Sequence, residues 1–69
     1  MEQQPNQRQL AEVDWHIEIA RMLVSSQRGR VDYLKRSHQN TSHAERQLRH
    51  YIATLQRMHR QRERMVKGE

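Results

Sequence analysis

Apolar positions recur along this chain in two series that step alternately by three and four residues. The first is Leu10, Val13, Ile17, Ala20, Val24, Gln27, Val31, Leu34; the second is Ala44, Leu48, Tyr51, Leu55, Met58, Arg62, Met65. Such stepping lays each series along one side of an α-helix, because about 3.6 residues complete a turn. The polar segment Ser37-His38-Gln39-Asn40-Thr41 separates the two. The spacing predicts an all-α chain forming one domain over 1–69: a disordered stretch at 1–5, a helix over 6–36, a turn at 37–41 and a helix over 42–67. A connection this short makes the helices antiparallel neighbours, so the expected unit is a two-helix hairpin.

Local signals refine the boundaries. Asn6 is a suitable N-cap for the first helix. Ser42 followed by Glu45 reads as a capping box at the start of the second. Asn40 is the residue expected to adopt the left-handed conformation that ends a helix, and Gly68 the place where the second helix frays. Gly29 argues for a break, since an interior glycine costs about 1 kcal/mol relative to alanine. Val24 and Val31 argue against one: they stand seven residues apart, so the seam stays in phase across the weak point. One continuous helix, bent if anywhere near Gly29, is the expectation.

The first helix carries more apolar surface than its seam. Trp15, Ile19, Met22, Ser26, Gly29 and Tyr33 form a second stripe, while Asp14, Glu18, Arg21, Arg28, Asp32 and Lys35 occupy the remaining rails. One neighbouring helix cannot cover so wide an arc. The economical expectation is a homodimer with two-fold symmetry, forming a four-helix bundle. Leu10, Val13, Ile17, Val24, Val31, Leu34, Leu48, Tyr51, Leu55 and Met58 are its core and dimer-interface candidates. The stripe Trp15, Ile19, Met22 and Tyr33 joins that interface, and whatever the dimer leaves uncovered becomes a docking surface, because Trp, Tyr and Arg anchor protein interfaces. Gln27 and Arg62 are polar exceptions in the seams. They can fix register, or flex out to solvent, the expected course for long polar side chains.

Composition narrows the chemistry. A chain of 69 residues without cysteine cannot use disulfides to support a small core, which leaves oligomerisation as the expected support. The first residues lack the apolar segment of a signal peptide and no apolar run approaches the ~18 residues of a membrane span, so the expected location is the cytoplasm. The five histidines include no pair four residues apart, and His43 and His50 share a face two turns apart, too far for one ion without a second chain. No metal or other cofactor is expected. No glycine-rich phosphate loop or nucleophile elbow occurs, and a slim hairpin offers no enclosed pocket, so the chain does not read as an enzyme.

The net charge of +5 is uneven: residues 1–36 carry +1 and residues 43–69 carry +4. Arg57, Arg60 and Arg64, with Arg46, Arg49 and Lys67, fall on the side of the second helix away from its seam. Such a face can track phosphates, giving nucleic-acid binding as the alternative function. Glu63 interrupts it, and no aromatics are interleaved there for stacking on bases.

The hairpin layout resembles that of the Rop family, small plasmid-encoded hairpin dimers that bind RNA loops. A short, cysteine-free, Arg/Gln-rich chain without an enzyme motif is also similar to early accessory proteins of temperate phages. Among these it resembles the quorum-sensing anti-activators of Pseudomonas phages. That resemblance implies a non-enzymatic helical protein of host takeover. It would bind and sequester a host regulatory protein, such as a LuxR-type transcription activator, and with it a pilus motor ATPase. The resemblance rests on length, composition and layout, and assigns no binding residue.

Overall fold

A computed structural model describes residues 7–68. The chain forms α1, Gln7–Arg36, and α2, Ser42–Lys67, packed against each other as a hairpin. The expectations for residues 1–5 and for Asn6 as a cap lie outside the described residues. α1 passes through Ser25–Gly29 without interruption. The in-phase seam outweighs the glycine, which stands in open space: a Cβ at Gly29 would meet nothing within 4 Å.

The core is one layer thick. Ile17, Ala20, Val24 and Val31 of α1 are buried against α2, which contributes Ala44. Leu10, Val13, Leu34, Leu48, Tyr51, Leu55 and Met58 are half-buried. The Cα atoms extend 58 × 16 × 11 Å with a radius of gyration of 16.1 Å. A compact chain of this length would have a radius near ~11 Å. Two helices side by side can enclose only the strip between them, so much of the apolar surface stays accessible.

The expectation that Gln27 flexes out to solvent is overturned. Gln27 is 8% exposed. Its Nε2 donates to the Ala44 carbonyl at 3.0 Å and to Gln47 Oε1 at 3.3 Å, both on α2. A buried amide is costly unless its hydrogen bonds are made, and here they are made only in one register.

The turn also differs from expectation in its chemistry. His38, not Asn40, takes the left-handed conformation, with φ 57°. The His38 N–H donates to the Lys35 carbonyl at 3.1 Å and the Gln39 N–H to the Leu34 carbonyl at 2.9 Å. This is the Schellman pattern, which satisfies the last carbonyls of α1. Asn40 instead braces the start of α2, where its Oδ1 accepts the Ser42 N–H at 2.8 Å. The capping box does not form. Thr41 is the N-cap and makes no side-chain cap bond, and the Glu45 carboxylate lies 3.8 Å from Lys35 Nζ. Ser42, already the first helical residue, is one position too late to cap. At the other end Gly68 does not merely fray: at φ 78° its N–H reaches the Arg64 and Met65 carbonyls and closes α2.

A histidine Cβ is strained in the left-handed region, whereas glycine is not. His38→Gly should therefore stabilise the hairpin, by about 0.5–1 kcal/mol once the greater freedom of glycine in the unfolded chain is subtracted. Thermal denaturation at fixed protein concentration checks it; an unchanged or lower midpoint would contradict it.

Candidate functional site

The hairpin has two broad faces of opposite character. On one, charged side chains cross between the helices. Arg62 Nε donates to Asp14 Oδ1, and Lys35 faces Glu45. Asp14 and Lys35 are three heptads apart, so both pairs lie along the same border of the seam. Arg62 is half-buried and paired rather than flexed free. The hydrogen bond and then the charge of Asp14 raise the Arg62 pKa above the ordinary arginine value, with desolvation acting the other way.

The other broad face is open. His16, Ile19, Ala20 and Leu23 of α1 and Tyr51, Thr54 and Met58 of α2 line an apolar groove there of about 120 Å³. Leu23 is 44% exposed. The groove continues onto the back of α1, where the second stripe lies. Trp15, Met22 and Tyr33 are each close to two-thirds exposed, and Ile19 is at 38%. α2 covers none of the first three. Of the stripe, only Ile19 turns far enough toward α2 to share in the groove.

The stripe has a shape as well as an extent. Ser26 and Gly29, both exposed, leave a notch between Met22 and Tyr33. Glu18 and Arg21 flank the stripe as an exposed pair 3.9 Å apart. The five large exposed side chains of α1 present on the order of 600 Å² of surface, the upper end of the largest apolar patch on an ordinary monomer.

The back of α2 is the chemical opposite. His43, Arg46, His50, Arg57, Arg60, Arg64 and Lys67 stand in steps of three and four along it, all exposed. Ala53 fills the one step that lacks a basic side chain, and no carboxylate falls in the row. Glu63 borders the row, three residues from Arg60 and four from Lys67. Arg57 donates to Thr54 Oγ1 at 3.2 Å, and no member of the row is ion-paired among the described residues. Thr54, Arg57, Met58, Arg60, Gln61 and Arg64 border a shallow polar groove.

The two sets of candidate residues therefore lie on different helices and different surfaces. Trp15, Ile19, Met22 and Tyr33 form one patch, and Arg57, Arg60 and Arg64 another. His43 and His50, weighed in the sequence only as metal ligands, belong to the basic row. Among the described residues no three His, Cys, Asp or Glu side chains come together to hold a metal ion. None of the described helices is long and apolar enough to cross a membrane. No known family model matches the chain, and neither a curated protein nor a solved structure shows a match to it.

Proposed function

We propose that this chain is a non-enzymatic protein-binding module that captures a regulatory protein on the back of α1. The observation that carries the reading is the stripe Trp15, Ile19, Met22 and Tyr33, which the hairpin itself leaves uncovered. A rigid helix bearing aromatic anchors is suited to a groove on a partner, where desolvated Trp and Tyr dominate binding energy. The resemblance to phage anti-activators supplies the target class: a host LuxR-type activator held in the cytoplasm, with a pilus ATPase as a further target. In the absence of target the chain is a homodimer of four helices.

The charge of the chain restricts how such inhibition works. A protein of net charge +5 is repelled by the basic surface with which an activator grips DNA. Capture must use an apolar or acidic patch elsewhere on the target, and inhibition follows from blocking its dimerisation or its approach to DNA.

The basic row of α2 supports a second reading, in which a dimer binds nucleic acid. Affinity capture from a host lysate, with and without nuclease, separates the two. A defined protein retained after nuclease treatment supports the first. Nucleic acid as the main retained species, lost steeply as salt rises, would replace the first reading with the second.

A further inference from the structure

We infer that a second copy of this chain docks antiparallel on the α1 stripe, about a two-fold axis at Met22, and thereby masks the surface that captures the target. The inference rests on the reading of that stripe as the docking surface and adds its regulation.

Shape is the first argument. In an antiparallel pair centred on Met22, Trp15 of one copy lies opposite Gly29 of the other and Ile19 lies opposite Ser26. Met22 meets its own counterpart, and Tyr33 reaches Ala11 and Glu12. Each large side chain off the axis thus faces a small one or the edge of the patch, as interdigitating layers require. Gly29 then has a reason to be glycine: within one copy nothing stands within 4 Å of a Cβ there, yet glycine weakens the helix. The centre is also the middle of Gln7–Arg36, so the whole of α1 overlaps its counterpart.

Charge is the second. The first half of α1 holds Glu12, Asp14 and Glu18 with Arg8 and Arg21, net −1, and the second holds Arg28, Arg30, Lys35 and Arg36 with Asp32, net +3. Antiparallel packing sets the net negative half against the net positive half, at the cost of placing Arg8 opposite Arg36 at the two exposed ends. Along the borders Glu18 falls opposite Ser25 and Asp32 opposite Ala11, so no two carboxylates are forced together; His16 falls opposite Arg30. The arrangement also places both α2 helices outermost. A dimer closed through the open groove would instead draw the two basic rows toward each other. The exposed stripe together with Leu23 beside it supplies on the order of 600 Å², near the ~800 Å² per partner of a standard interface once the other flanking residues are counted.

Self-association and target capture then exclude one another, and target capture per chain falls as total concentration rises above the dimer dissociation constant. The chain has no cysteine, so introduced thiols report contacts without background. Met22→Cys should form a disulfide dimer with itself. Ile19→Cys mixed with Ser26→Cys should give the mixed product, with little of either self-product. Gly29→Trp should raise the dimer dissociation constant about 30-fold or more while helix content is kept, and adding Trp15→Ala should restore dimerisation by exchanging the large and small sides. A wild-type chain that sediments as a monomer at tens of micromolar overturns the inference. So does preferential self-linking of Ile19→Cys and of Ser26→Cys, or a Gly29→Trp variant that dimerises normally. These measurements use purified chain alone, so they can fail while target capture stands, and the lysate experiment can fail while they hold.

Discussion

Val24→Asp should abolish the hairpin, leaving a chain with little helical signal in far-ultraviolet circular dichroism at ordinary temperature. Val24 is 6% exposed in the middle of the α1 seam, with Gln27 one step away and Leu55 near it across the helix interface. Arg21 and Arg28 border the same hollow one turn either side, but both are exposed, so their attraction offsets only part of the several kcal/mol that burying a carboxylate costs. A single core in a chain this small supplies only about 3–5 kcal/mol, so the loss is of the same size as the total. The matching control is Val66→Asp. Val66 is 56% exposed on α2, and the same change there should shift stability by no more than about 0.5 kcal/mol. If both variants kept their helices, the one-layer core between α1 and α2 would not be what holds the hairpin together.

The second large effect concerns binding. Trp15→Ala combined with Tyr33→Ala should weaken capture of the target protein at least 30-fold, since each truncation removes an aromatic anchor worth about 2 kcal/mol or more at an interface. Folding should survive, because both side chains are 64% exposed in the hairpin and alanine is the best helix former. Reversing the basic row with Arg57→Glu, Arg60→Glu and Arg64→Glu should leave capture within a few-fold and change mainly its salt dependence. Titration of each variant against the captured protein decides between the surfaces. Loss on charge reversal with retention on aromatic truncation would move the binding site to α2.

The architecture was legible because its determinants are periodic. Alternating steps of three and four fix both seams, and the polar run after Arg36 leaves room only for a tight reversal between them. Features that depend on one seam against the other were not legible in either alone. The Asp14–Arg62 and Lys35–Glu45 pairs require the register between helices, although an arginine within the second seam and opposite charges beside the two seams were a signal for them. Gln27 reads as a flaw until Ala44 and Gln47 stand opposite it. The turn misled for a local reason. Asparagine and a Ser-x-x-Glu pattern are good cap formers in general, but α1 ends two residues before His38, which puts His38 rather than Asn40 at the left-handed position. The candidate surfaces were legible by composition, and their separation was legible from the helical wheels. Only the packed hairpin shows that the α1 stripe stays bare while its seam is covered.

The brevity of the link between the helices also has a kinetic meaning. Only five residues separate Arg36 from Ser42, so the first cross-helix contacts form across a small loop at little entropic cost. Each later layer then closes on the one before, from Val31 toward Leu10. Such a chain belongs to the fast-folding end of the range, where sequence-local contacts dominate. Its opening runs the other way: amide hydrogen exchange should proceed first at the end that carries Leu10 and Met65, and last beside the turn.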